Sequence, residues 1–437
     1  MEKINKIYGP PGTGKTFRLI RRVKAYQRKG VPLHKIGYFA FTRKAAEEAR
    51  KRINVPEKQV PYFQTLHAFC YHLIGLKEED IIQPYHYEDL GKKLNVRVSF
   101  TDKYNEEETH FLTCNNPYFQ MIQRSVNKDI HIKEEYNLNQ HDRREIDYDT
   151  LNHIYRNLLL YKAKNNILDF NDIIMEVLKS DKIPKFKAIF IDEAQDLSPL
   201  QWKLYDKLKE HCDQIYLAGD DDQAIYQWNG ADTRYFTKYF PGRKVVLRKT
   251  RRFGTAIHQF SQIIRKGILD SVDKEFEPLV KEGLVKRYLS FKEIPFEKDE
   301  GKWFLLGRIH TTVNELKALA KDAGIFFADN KGQKSFDQNQ WLAIKAWTAI
   351  SNGREIMKKE AEVMYKYIRQ VIDSDYRTSK FWSNEPDYKR YNFTTLKEWC
   401  GLDLPDEAQK KQWWWILRRN FKPRQVIYFL RLLKRYK

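Results

Sequence analysis

The residues with the clearest chemical purpose stand near the start of the chain. Gly9-Pro10-Pro11-Gly12-Thr13-Gly14-Lys15-Thr16 fits GxxxxGK[ST] at every specified position. It lies between an apolar run, Ile4 to Tyr8, and a stretch in which Leu19, Ile20, Val23 and Tyr26 recur at helical spacing. Glycines let backbone N–H groups turn inward around a phosphate, and a helix N-terminus adds its positive end. Lys15 is then placed for the β- and γ-phosphates of ATP and Thr16 for Mg2+. Far downstream, Phe190-Ile191-Asp192-Glu193 ends an apolar run in two acids. Asp192 suits the same metal ion, and Glu193 suits the polarising of an attacking water. Either motif alone admits a structural explanation, a glycine-rich turn or a solvated acid pair; together they predict one nucleotide site.

The elements that must position these groups alternate. A strand, a loop and a helix are followed by a second strand near Ile36 to Phe41 and a helix from about Lys44 to Arg52, the pattern of a parallel α/β sheet. From about 75 to 160 the sequence is polar and mixed in charge, which predicts a helical insertion. Apolar runs return at Ala188 to Ile191 and Ile215 to Ala218, each ending in acids, as strands of a doubly wound sheet do at their ligand-bearing ends. After Val245-Val246-Leu247, a helix from Thr255 to Lys266, a strand from Trp303 to Leu306 and a helix near Val313 to Ala320 suggest a second α/β domain. The expected fold is therefore α/β. A phosphate-binding, RecA-like parallel-sheet domain occupies 1–74 and 160–243, with a helical insertion at 75–159. Part of a second RecA-like domain follows at 244–328, and a helical region at 329–437.

Composition sets the partner class. The 437 residues carry 79 Lys and Arg against 58 Asp and Glu, a formal charge of +21, and a polyanion would release counterions on binding. A solvated basic surface explains the charge equally well, so motifs must decide. Four scattered cysteines, Cys70, Cys114, Cys212 and Cys400, form no CxxC or zinc-finger spacing. The sequence holds neither a signal-like start nor a membrane-length apolar run, so no membrane partner and a cytoplasmic location are expected.

With both nucleotide motifs in hand, the sequence from residue 9 to about 254, and more loosely to about 328, resembles the UvrD/Rep-like superfamily 1 DNA helicases. Tyr38-Phe39-Ala40-Phe41-Thr42-Arg43-Lys44-Ala45-Ala46 is similar to motif Ia and Thr65-Leu66-His67-Ala68-Phe69 to motif Ib, so the resemblance implies that Phe41, Thr42, Arg43, Thr65 and His67 lie along single-stranded DNA. Asp169-Phe170-Asn171-Asp172 resembles the DFxDL element, and Asp192-Glu193-Ala194-Gln195-Asp196 the DEAQD form of motif II. The run Gly219 to Ala231 resembles motif III, which implies that Gln223 links the γ-phosphate to a base stacked on Trp228. A stacking platform is worth about 1–3 kcal/mol per base; the competing reading puts Trp228 in the core, and Tyr226 reads as core. Leu247 to Phe253 resembles motif IV, making Arg252 a phosphate-contacting arginine, while Arg251 replaces the usual tyrosine. Arg308 resembles a later strand arginine.

The implied activity is ATP-dependent, 3′-to-5′ movement on single-stranded DNA and unwinding at single-strand/duplex junctions. Two departures matter. Few residues precede the phosphate loop, leaving no room for an adenine-reading glutamine motif, and no TIHxxKGLE-like or VAxTRAR-like motif follows Arg308. An ATP- and DNA-binding fragment, active only with a companion polypeptide, is therefore the alternative expectation; a small-molecule kinase fits the motifs and charge less well. The basic, amphipathic C-terminus could grip duplex phosphates or be a docked helix. Trp413-Trp414-Trp415 reads as core.

Overall fold

The computed structural model describes residues 3–99, 114, 116–139, 146–268, 271–296, 302–330, 332–368, 379–417 and 421–435. These fall into two compact units, Met1–Val285 and Lys286–Lys437.

In the first unit, strands β1 (Ile4–Tyr8), β2 (Ile36–Ala40), β3 (Phe63–Thr65), β4 (Phe186–Ile191), β5 (Cys212–Gly219) and β6 (Arg243–Val246) form one sheet in the order β3-β2-β4-β5-β1-β6. Every pairing in it is parallel. Both faces are covered, which is why the strands read as continuous apolar runs. Ile7, Tyr38, Phe190 and Ala218 face a core completed by helices α1 (Lys15–Arg28) and α2 (Arg43–Ile53). Tyr8, Phe39, Ile191 and Leu217, each one residue away and so on the opposite face, pack with α3 (Leu66–Leu73) and other helices. The mixed α/β architecture with a parallel sheet is the expected one.

The expected insertion is helical. Helices α4 (Pro84–Lys93), α5 (Pro117–Asn127), α6 (Ile132–Leu138) and α7 (Tyr148–Asn165) enclose their own core around Leu90, Phe119, Met121, Leu151 and Ile154. The chain returns to the sheet through α8 (Phe170–Lys179) and α9 (Pro199–Glu210). The Asp169-Phe170-Asn171-Asp172 motif is a helix start: Asp169 accepts from the N–H groups of Asn171 and Asp172, and Lys162 bridges both acids at 2.7 Å.

Beyond β4 and β5 the register departs from the expectation at two places. Arg243–Val246, straddling the boundary expected at 244, hydrogen-bonds to β1 as an edge of the first sheet. Next, β7 (Lys249–Gly254), α10 (Thr255–Arg265) and β8 (Glu277–Val280) make a two-stranded parallel pair. The strand expected at Trp303 to Leu306 is not formed, and Phe304 and Leu306 are exposed. An apolar run becomes a strand only where a neighbour completes its hydrogen-bond ladder, and among the described residues none does so here.

The second unit is mainly helical, including α11 (His310–Asp322), α12 (Gln338–Ser351) and α13 (Lys358–Tyr365), with a core around Trp347, Tyr365, Trp382 and Leu396. The Trp413 to Trp415 run divides: Trp413 joins that core, whereas Trp415 is 60% exposed. Helix Pro423–Arg435 docks through Tyr428, Phe429 and Leu432, and Arg431 pairs with Asp322 at 2.7 Å. Of the C-terminal basic residues, Arg418, Arg419 and Lys437 lie outside the described residues. No described helix is long and apolar enough to cross a membrane.

Candidate nucleotide and nucleic-acid site

The loop after β1 has the backbone that its glycines predict. Gly12 and Gly14 adopt φ values of 76° and 88°, and Gly14 leads directly into α1 with Lys15 as its first residue. Thr13 is tied to Pro10 O at 2.7 Å, and the Lys15 ammonium donates to Gly9 O at 2.8 Å. A Cβ at Gly9 would stand 2.6 Å from the Lys15 side chain, so the loop tolerates no bulk there.

The carboxyl end of β4 closes the site from the other side of β5. Thr16 Oγ1 donates to Asp192 Oδ2 at 2.7 Å, and the Tyr38 hydroxyl donates to the same oxygen at 3.0 Å. A hydroxyl and a buried carboxylate thus share one point and could supply two of the six oxygens of a magnesium ion, with water and phosphate supplying the rest. Burial, then the neighbouring Glu193, push Asp192 above the ordinary carboxylate value, against the hydrogen bonds from Thr16 and Tyr38. Glu193 itself sits at φ 55°, a left-handed conformation that costs about 1–2 kcal/mol for a residue with a Cβ. Its Oε2 accepts from Gln195 Nε2 at 3.1 Å.

A hydrogen-bond chain runs on from Glu193. Gln195 Oε1 accepts from the backbone N–H of Asp220 at 3.0 Å, and Asp220 Oδ2 accepts from Gln223 Nε2 at 2.5 Å. Sequence reading missed the cation behind this chain. Lys274, 1% exposed, meets Asp220 at 2.7 Å, Asp221 at 2.5 Å and Asp222 at 3.0 Å, while Arg265 holds Asp222 at 2.9 Å. Burial opposes the Lys274 charge, but Asp220 and Asp221 outweigh it and hold the ammonium above the ordinary lysine value. Three consecutive acids after a buried strand demanded a counter-ion; nothing in the sequence said which. Tyr38 reads in the sequence only as the start of motif Ia, without its contact to Asp192.

Segment β7 lies directly on the phosphate loop. Arg251 N donates to Gly12 O at 3.1 Å, and Thr250 Oγ1 donates to Pro11 O at 2.5 Å. A Cβ on Gly12 would come within 2.4 Å of the Arg252 Cβ, so Gly12 admits this approach. Arg252 is exposed beside the loop, as is Arg251. Arg308 is exposed in the second unit.

Two of the other predicted residues, Phe41 and His67, meet at a cleft. Phe41, His67, Asn127, Asp196, Tyr226 and Asn229 line it, and it encloses only about 10 Å3, room for about one water molecule. The rings of Phe41 and Tyr226 lie 4.7 Å apart, and Trp228, 58% exposed, stands 6.5 Å from Tyr226. Tyr226 is thus a half-buried wall of the cleft rather than core. Thr65 is 5% exposed, and its hydroxyl accepts from Ala68 N to cap α3. Thr42 caps α2 in the same way, with Arg43 exposed beside it.

Asp196 sits at the base of this cleft with one oxygen, Oδ1, lacking a hydrogen-bond partner among the described residues. Burial, then Glu193, push its carboxyl up to about 7. A free aspartate titrates near about 3.9, so the folded chain keeps this proton longer than the unfolded chain, and stability falls as pH rises from about 4 through about 7. The Asp196→Asn variant should therefore melt progressively higher than the unmodified chain between about pH 5 and about pH 8. A constant difference in melting temperature across that range would show that Asp196 ionises normally.

Residues 1–240 match the UvrD/REP helicase N-terminal domain. The chain belongs to the UvrD/REP helicase family. It is 25% identical over 392 residues to the ATP-dependent DNA helicase PcrA of Bacillus subtilis, covering 83% of this chain and 50% of the relative. The ATP-dependent DNA helicase Rep of Buchnera aphidicola is 24% identical over 392 residues, 83% of this chain and 55% of its own length. A probable DNA helicase II homolog of Mycoplasma pneumoniae is 28% identical over 246 residues, 52% and 34% respectively. This UvrD/REP chain thus spans about half the length of the first two relatives.

Proposed function

We propose that this UvrD/REP chain binds ATP with Mg2+ and uses its hydrolysis to move 3′ to 5′ along single-stranded DNA, opening duplexes at junctions. The observation that carries the reading is the 2.7 Å contact between Thr16 and Asp192, which joins the phosphate loop to the acid pair. Beside that contact, an exposed Trp228 offers a place for unpaired bases. We assign 1–74 with 160–243 and the edge strand β6 to the ATP-binding domain, 75–159 to its helical insertion, the rest of 244–328 to part of the second motor domain and 329–437 to a helical region.

In this reading Lys15 and the loop N–H groups hold the phosphates, and Thr16 and Asp192 hold Mg2+, which neutralises phosphate charge when bound. Glu193 orients and deprotonates the attacking water. Arg252 brings a cation from β7, and Gln223 reports the state of the phosphates to the turn bearing Trp228. Bases stack on Trp228, with Phe41, Arg43 and His67 along the strand.

The test is DNA-stimulated ATP hydrolysis and strand separation, together with DNA affinity. Trp228→Ala should weaken binding of single-stranded DNA by about 1–3 kcal/mol, roughly 5- to 150-fold, with nucleotide affinity retained. Unchanged DNA affinity would remove Trp228 from the path. Because the chain covers only about half of PcrA, a second reading is ATP and DNA binding with little turnover until a companion polypeptide completes the motor. Robust unwinding by the chain alone would defeat it.

A further inference from the structure

We propose that Lys274 is a positioning residue that couples the nucleotide site to the DNA site by clamping Asp220, the acid that orients Gln223. The inference rests on the function proposed above and extends it to a residue outside every recognised motif.

Asp220 is the junction of the hydrogen-bond chain. Its backbone N–H reaches Gln195, and through it Glu193; its Oδ2 takes the Gln223 amide; its Oδ1 takes the Lys274 ammonium at 2.7 Å. With both oxygens and the N–H engaged, the carboxylate has one orientation, and Gln223 inherits it. Lys274 also draws Asp221 and Asp222 to the same point, and Asp221 Oδ2 accepts from Val272 N at 2.7 Å. Ser271 and Arg265 secure Asp222. The segment joining α10 to β8 is therefore locked to the turn Asp221–Gln223, four residues before Gln227–Asn229 and its Trp228. Any shift of Gln223 towards a phosphate must move either this clamp or the aromatic turn.

A buried lysine against three acids is also what a purely structural staple looks like, so the test must read coupling and not stability. Affinity for a short fluorescein-labelled oligothymidylate is measured with and without magnesium and a non-hydrolysable ATP analogue. In the unmodified chain the analogue is expected to shift DNA affinity about tenfold. In Lys274→Met the shift should fall to about twofold or less, while affinity for the analogue alone and for DNA alone each change by less than about threefold. Adding Lys274→Met to Gln223→Ala should cost no further coupling, since both act through Asp220.

Asp220→Asn, nearly isosteric, is expected to behave as Lys274→Met, because Lys274 and Gln223 each donate to a different Asp220 oxygen and the asparagine NH2 that replaces one of them can only donate. It decides the matter if Lys274→Met does not fold. A full shift retained in either folded variant, or additive losses in the double variant, overturns the assignment of Lys274. An unmodified chain that ignores the analogue overturns instead the function on which it rests.

Discussion

Replacing Lys15 by alanine should abolish DNA-stimulated ATP hydrolysis and lower ATP affinity by roughly 10²- to 10⁴-fold. The ammonium donates to Gly9 O at 2.8 Å inside the loop, and among the described residues no carboxylate forms an ion pair with it. Phosphate oxygens can replace that carbonyl without rebuilding the fold. Two charge-assisted hydrogen bonds of about 1.5–3 kcal/mol each give the stated loss. Titration with a fluorescent ATP analogue measures it, and circular dichroism checks that α1 survives. Nucleotide binding and turnover at unmodified levels in Lys15→Ala would leave the glycine-rich loop as a turn and end the motor interpretation.

Glu193→Gln should separate chemistry from binding. The side chain stands in a left-handed backbone conformation beside Asp192, held by Gln195 at 3.1 Å. Strain of this kind persists where surrounding structure enforces it, often because the position is used. Glutamine keeps the shape and the hydrogen-bonding reach but cannot take a proton from water, so single-turnover hydrolysis should fall about 10²- to 10⁴-fold. ATP affinity should stay within about threefold, since the acid acts on water and not on the phosphates. A variant that binds ATP as poorly as Lys15→Ala would place Glu193 in substrate binding. One that hydrolyses ATP at the original rate would strip it of any chemical role.

Legibility varied with how local the physics was. The phosphate loop could be read because its constraints lie within eight consecutive residues: glycines for positive φ, a lysine and a threonine at a helix start. Asp192 and Glu193 were readable because an apolar strand that ends in acids places them at a sheet's carboxyl edge. Thr65 was ambiguous because its hydroxyl type suits a ligand and a helix cap equally; in the fold it is buried and caps α3. Tyr226 looked like core and proved a cleft wall, since exposure depends on what α5 and the turn Gln227–Asn229 leave open; Asn127 of α5 donates to Asn229 O at 2.9 Å there.

Residue order alone made legible the glycine-rich loop between β1 and α1, the acid pair at the end of β4, the helices between 75 and 160 and the alternation that makes a parallel sheet, because each follows from neighbours along the chain. Tertiary structure alone decided that β6 closes the edge beside β1, that Trp303 to Leu306 gains no strand partner, and that Tyr38 and Lys274 stand behind the two acid groups. The physical reason is common to all of these. Ladder hydrogen bonds and the neutralisation of buried charge are completed by groups distant in sequence, and no local propensity records which distant group will arrive.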